Sequence, residues 1–212
     1  MEVQKKIVLN DKSQGKTIDI CGLNIVLPKK PKASEILFNE KSKKEQKWER
    51  TDMPLGLDED TASKYQDFIN QEFTRRLEGV WFMNNGTPTY ITGEHYYYLN
   101  WCKLDVGYPQ YRDRDRRFFV YWEACKRDEN CFGMVMVKHR REGASYKGAS
   151  ILLHEVSSRY NSHGGIISKT GVDAKSLFTD KLVYMFRQLP FFFQPIIDGS
   201  DNPKSTLSFR AP

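Results

Sequence analysis

The order of apolar and polar positions along the chain changes period several times. Lys6-Ile7-Val8-Leu9 and Thr17 to Leu27 are rich in β-branched residues, and Asp11-Lys12-Ser13 and Gly22 mark turns, so residues 1 to 28 predict short strands. Pro28-Lys29-Lys30-Pro31-Lys32 reads as a linker. Trp48 is the only large apolar residue between Phe38 and Met53, so the charged stretch from 39 to 60 predicts an extended arm or a loosely packed, mobile connection. Asp58-Glu59-Asp60-Thr61 is suited to capping a helix that runs to about Glu78, with Tyr65, Phe68, Ile69, Phe73 and Leu77 at helical spacing on its buried face. Val80 to Met83 and Thr89 to Ile91 flank Asn84-Asn85-Gly86 as a hairpin, and Thr92-Gly93-Glu94 opens a helix through Trp101.

The second half alternates between periods. A helix is predicted from about Asp115 to Asp128, followed by Phe132-Gly133-Met134-Val135-Met136-Val137. A continuous apolar run of this kind fits a strand buried on both faces of a parallel sheet. A helix from about Tyr146 to Tyr160, a short strand Gly165 to Ser168, a helix from Asp173 to Leu189 and an alternating stretch from Ser205 to Arg210 follow. Strand, loop, helix and strand in this order argue for an α/β fold with a βαβ core and right-handed crossovers.

Composition narrows the class. The chain has 212 residues, 39% hydrophobic and 28% charged, with a formal net charge of +6. That is too apolar for a disordered tail, and the sequence offers neither a secretory signal nor an apolar run long enough to span a bilayer. Cys21, Cys102, Cys125 and Cys131 are scattered without a CxxC, which speaks for reduced core thiols and against a zinc site or a disulfide framework. His95, His139, His154 and His163 do not fall at metal-ligand spacing, and His154 and His163 read as structural or exposed. Tyr96-Tyr97-Tyr98, Trp101 and Phe191-Phe192-Phe193 read as core, and Ser168-Lys169-Thr170 as a loop. The basic segment Lys41 to Arg50 reads as a linker or as a contact for DNA.

The chemistry concentrates in Lys138-His139-Arg140-Arg141-Glu142-Gly143-Ala144-Ser145-Tyr146-Lys147, between the apolar run and the next helix. Backbone N–H groups at a helix N-terminus attract anions, and the helix dipole adds to this. Gly143 permits close approach of a phosphate, Ser145 is placed like a Mg²⁺-ligating hydroxyl, and Lys138, Arg140, Arg141 and Lys147 add positive charge. The standard phosphate loop would have Gly at 138 and Lys at 144, where this chain has Lys138 and Ala144.

Three stretches carry a resemblance. Tyr90 to Asn100, Tyr111 to Phe119 and Lys138 to Ser145 are similar to segments of the large terminase subunit of tailed bacteriophages, closest to those of phages infecting gut Bacteroidetes, over roughly residues 80 to 212. Lys138, Arg141, Gly143 and Ser145 match that family's variant loop K-x-x-R-x-G-x-S. The resemblance implies a P-loop ATPase core of the RecA/helicase-like class, here incomplete, with a mixed N-terminal extension. The expected division is 1–60 as a β-rich segment and charged linker, 61–130 as a lead-in, and 131–212 as a partial ATPase core. The implied activity is ATP-driven packaging of double-stranded DNA into a capsid, with Mg²⁺ as cofactor. The implied partners are the portal protein, the small terminase subunit and, for a full-length protein, further copies in a ring, in the host cytoplasm and without a membrane. Position by position, the resemblance implies that Lys138 contacts the β/γ-phosphates, Ser145 holds Mg²⁺, and Arg140 or Arg141 acts on the γ-phosphate. Glu142, Gly143, Ala144 and Tyr146 complete the nucleotide-binding loop. Tyr111, Arg112 and Phe118 read as lining the adenine side, or else Phe118 as helix core and Arg112 as part of a self-paired, solvated surface.

The departures bear on the same expectation. No run of four apolar residues followed by Asp-Glu comes after Ser145, and the nuclease carboxylates of the family have no counterpart. The sequence therefore reads as the N-terminal part of a longer or split terminase. Two other readings remain open: a non-catalytic, basic nucleic-acid- or capsid-binding phage protein, and another P-loop NTPase such as a helicase.

Overall fold

The computed structural model describes residues 6–9, 15–38 and 48–210. The Asp11 to Ser13 turn and residues 41–47 of the basic segment lie outside them. The chain is an α/β protein whose described residues group into two units. The first combines Met1–Arg50, Phe73–Tyr96 and Gln110–Lys138, and the second Thr51–Glu72, Tyr97–Pro109 and His139–Pro212.

In the first unit, β1 (Lys6–Val8), β2 (Thr17–Ile20) and β3 (Leu23–Val26) form a sheet in the order β1-β3-β2. The pair β1–β3 is parallel, with Ile7 opposite Ile25, and β2–β3 is an antiparallel hairpin. Its two-residue turn is Cys21-Gly22, both left-handed with φ of 54° and 83°. Such turns match the natural twist of the strands they join. The sheet lies on α3 (Asp113–Arg127): Ile7, Leu9, Ile20, Ile25 and Leu27 pack with Val120 and Ala124. Full burial of each large aliphatic side chain contributes about 1.5–3 kcal/mol.

The second hairpin, β4 (Val80–Asn84) with β5 (Thr87–Ile91), turns as expected at Asn85-Gly86, with φ of 46° and 77°. Leu37 adds to its edge through the bonds Leu37 N–H to Trp81 O at 2.9 Å and Met83 N–H to Leu37 O at 2.9 Å. Trp48 is anchored rather than loosely tethered. Its ring meets Phe38, Phe82 and Tyr96 edge-on at centroid distances of 5.5, 5.1 and 5.8 Å. The low apolar density around residue 48 hides a large aromatic that is itself packed among other rings.

Two helices contribute residues to both units. The first, α1 (Gln66–Glu78), is preceded by a 3-10 turn at Ala62–Tyr65, and Asp58 and Thr61 bond to each other ahead of it. Of the predicted face, Ile69 is buried and Tyr65 and Phe68 are half-buried, but the last two turns differ. Ile69, Glu72 and Arg76 are buried, while Phe73 and Leu77 are exposed. Apolar periodicity alone misassigned the face because two of the buried residues are charged. In the second unit Glu72 accepts a bond from Trp101 Nε1 at 2.9 Å. In the first, the backbone of Arg76 comes so close to Gly93 that a Cβ there would sit 2.1 Å from the Arg76 carbonyl oxygen. The second helix, α2 (Gly93–Asn100), buries Tyr96, Tyr97 and Tyr98, as the core reading requires.

The core of the second unit is aromatic and aliphatic. Trp101 meets Phe192 and Phe193 at 5.7 and 5.8 Å, and Tyr97 meets Phe193 at 6.1 Å. Phe191–Phe193 form a 3-10 turn after Pro190, closing a long helical stretch. That stretch runs through α5 (Gly171–Leu177), a π turn (Phe178–Val183) and α6 (Tyr184–Arg187), and buries Leu182, Val183, Met185 and Phe186. Helix α4 (Ala144–Ser158) buries Ala149, Ser150, Leu153 and His154.

The strands expected in the second half are not formed. Among the described residues, no backbone N–H from 132 to 137 donates a backbone hydrogen bond, and Phe132, Val135 and Val137 are 100%, 92% and 96% exposed. Gly165 to Ser168 is likewise unpaired, with Ile167 97% exposed. Ser205 to Arg210 makes only a single bridge, Ile197 to Phe209. The physical reason is common to the first two. A run that is apolar on both faces becomes a strand only when neighbours occupy both its edges and both its faces. No described residue supplies them.

Candidate functional site

The loop ahead of α4 has an unusual backbone. Arg141 and Gly143 are both left-handed, with φ of 68° and 70°, on either side of Glu142, and Gly143 is the N-cap of α4. A non-glycine residue in this region is uncommon and pays a steric cost. Two left-handed residues this close together turn the chain sharply just ahead of the helix. No side chain caps α4. Among the described residues, the N–H groups of Gly143, Ala144, Ser145 and Tyr146 donate no backbone bond, and the first to do so is Lys147, to Gly143 O at 3.1 Å. The helix thus presents its unsatisfied donors, and the positive end of its dipole, beside a basic loop.

The side chains sort by exposure. Arg140, Arg141 and Ser145 are exposed, while Glu142, Gly143, Ala144 and Tyr146 are half-buried. These seven lie together in the second unit. Lys138 and Arg112 belong to the first unit and are exposed there. The Ser145 hydroxyl makes no hydrogen bond among the described residues, so its oxygen is available to a metal ion. Lys147 departs from the expected basic rim: it is buried, on the inner face of α4 beside Ser150, whose hydroxyl donates to the Lys147 carbonyl at 2.8 Å. A rim of charge read from a linear segment takes no account of the helical rotation that turns one member inward.

The expected adenine-side residues have structural employment. The Tyr111 ring packs on Phe82 at 5.0 Å and beside His95 at 5.9 Å, and its hydroxyl donates to Asp113 at 2.7 Å. Desolvation and that bond push the Tyr111 phenol well above its ordinary value. Phe118 lies against Phe119 at 5.2 Å. Of the neighbouring arginines, Arg116 is committed to the fold, since its Nε donates to Tyr90 O at 2.7 Å.

A cluster that the sequence did not announce adjoins the loop. Tyr146, the third residue of α4, accepts a hydrogen bond at its hydroxyl from the Lys181 ammonium. The same ammonium bonds Asp105 Oδ2 at 3.1 Å and lies 4.1 Å from the Tyr146 ring centroid. Burial pulls the Lys181 ammonium down, but its bonds to Tyr146 and Asp105 outweigh this and raise it. Bonds from Tyr146 and Lys181 hold the Asp105 carboxyl below the usual range, and desolvation followed by the Asp105 bond raises the Tyr146 phenol. All three groups therefore keep their neutral-pH forms: ammonium, carboxylate and neutral phenol. Lys181 sits in the π turn, and such turns recur at functional sites. Sequence spacing offered no signal, because Asp105, Tyr146 and Lys181 lie on three separate segments.

Two further expectations can be placed. Thr170 is a helix cap: its hydroxyl oxygen accepts from the Asp173 N–H at 3.1 Å, opening α5. Burial, and after it the neighbouring Cys125, Cys21 and Cys131 thiols, raise the Tyr121 phenol above its ordinary value. All four cysteines are free, and Cys102 and Cys125 are the buried ones. Comparisons with protein-family models, with curated proteins and with solved structures find no match to this chain. No helix among the described residues is long and apolar enough to cross a membrane.

Proposed function

We propose that this chain is the N-terminal, nucleotide-binding part of a terminase large subunit of a tailed bacteriophage, acting on double-stranded DNA in the host cytoplasm. The observation that carries the reading is the uncapped N-terminus of α4, fed by a basic loop with left-handed residues at Arg141 and Gly143. This is the backbone a polyphosphate needs, and it falls at the residues that resemble the variant phosphate loop. The finer fold class, a P-loop ATPase core, belongs to the same proposal.

In this reading the free N–H groups of Gly143 to Tyr146 bind phosphate oxygens, and Lys138 neutralises charge on the β/γ-phosphates. The exposed, unbonded Ser145 hydroxyl fits Mg²⁺, which supplies charge neutralisation when bound. Arg140 or Arg141 stabilises the charge that develops during phosphoryl transfer, an interaction that counts for more in the transition state than in the ground state. The portal protein, the small subunit and a ring of copies are the partners that this assignment brings with it.

Calorimetry of Mg²⁺-ATP with the wild-type chain, Lys138→Ala and Ser145→Ala tests it. The expected result is binding by the wild type and a loss of about tenfold or more in each variant, the weight of one charged phosphate contact. A folded wild-type chain blind to ATP overturns the motor reading. The exposed run Lys138 to Arg141 would then favour the nucleic-acid-binding alternative, which retention on a DNA column with a steep salt dependence would support.

A further inference from the structure

We infer that Lys181 is a positioning residue for the phosphate loop, tying the first turn of α4 to the π turn and to the Asp105 loop through Tyr146. For its consequence in binding, the inference rests on the nucleotide reading above.

The geometry is specific. The first turn of α4 has no capping side chain and no backbone acceptor for its leading N–H groups. Helix ends whose leading N–H groups lack acceptors fray. The Tyr146 side chain ties the leading turn to the rest of the unit, its hydroxyl accepting from Lys181 and bonding Asp105 as well. The ammonium is held from a second side by Asp105, which lies on a loop closed by reciprocal bonds between Leu104 and Gly107 at 2.9 and 3.1 Å. From below, Lys181 stands between Leu182 and Val183, which are buried in the core of the unit, and Asp180, whose carboxylate accepts from Ser176 and Thr179. The π turn places Lys181 out of the ordinary helical phase at this spot. Charge-assisted bonds of this kind outweigh neutral ones, so the ammonium restrains the turn that presents the phosphate donors.

Amide exchange on the whole chain tests the inference, with wild type, Lys181→Met and Lys181→Arg compared. Lys181→Met is expected to accelerate exchange at Lys147, Gly148, Ala149 and Ser150 by about tenfold, with Leu153 and Phe186 unchanged. Lys181→Arg, which can still donate to both partners, is expected to restore protection. Mg²⁺-ATP affinity should fall about tenfold in the Met variant and recover in the Arg variant. Unchanged exchange at Lys147 to Ser150 overturns the inference, and so does an equal acceleration throughout the unit, which would mark a general loss of stability. If Lys181→Met does not fold, Tyr146→Phe carries the same measurement, since it deletes only the hydroxyl. A wild-type chain that binds no ATP would remove the nucleotide reading, while the exchange rates would still decide whether Lys181 holds the turn.

Discussion

Cys125 shows how far local surroundings move a single side chain. It is buried on α3, where desolvation, with the neighbouring Cys131 thiol adding to it, pushes its own thiol up to about 11. The thiolate is the reactive form. At pH 8 only about one Cys125 in a thousand carries it, a population that grows tenfold for each pH unit up to the shifted value. Iodoacetamide at pH 8, read by mass spectrometry, should therefore label the exposed Cys21 well before Cys125, and the gap should narrow as the pH rises toward 11. The sign for stability follows from the same shift. The folded form holds the proton more tightly than the unfolded chain, so its contribution is complete below about pH 9 and is lost as the pH rises through the folded value. The same scale explains the limits of reading the loop from its letters. Gly143 and Ser145 could be assigned roles because backbone freedom and a hydroxyl are intrinsic to those residues. The inward turn of Lys147 and the partnership of Tyr146 with Lys181 depend on neighbours distant in the chain.

Elements with strong local signals were legible. The hairpin at Asn85-Gly86, helices α2, α3 and α4, and the turn at Gly22 follow from turn chemistry and helical period, both properties of a few adjacent residues. Helix α1 was legible in extent but not in orientation, because Glu72 and Arg76 occupy its inner face. This has a measurable consequence. Ile69→Ala should cost about 2–4 kcal/mol, since it opens a cavity in the core of its unit. Leu77→Lys, placed on what periodicity takes for the same buried stripe, should change stability by no more than about 0.5 kcal/mol. Urea denaturation of the two variants separates the assignments, and the reverse order would restore the face that the apolar pattern suggests. The candidate site was legible as a loop entering a helix, with no signal for the cluster at its exit.

At the scale of the whole molecule, the illegible part is the sheet of the second half. Val135 and Val137 project into solvent from a β-prone run with unpaired backbone. Such runs associate edge to edge unless a charge interrupts them. The chain should accordingly self-associate as its concentration rises, and Val135→Lys with Val137→Lys should suppress this without altering the melting temperature. Light scattering across a dilution series checks it. Equal scattering from both proteins would mean that this run takes no part in association.

The interleaving of the two units carries a consequence for how the chain is made. The β1-β3-β2 sheet is complete once residue 26 is synthesised, yet the helix that covers it, Asp113–Arg127, comes much later. At ribosomal speed that interval is roughly ten seconds. Throughout it the apolar face of Ile7, Ile20 and Ile25 has no native cover from α3, and contacts this distant in sequence are slow to form. A nascent chain of this design depends on whatever shields that face until α3 leaves the exit tunnel.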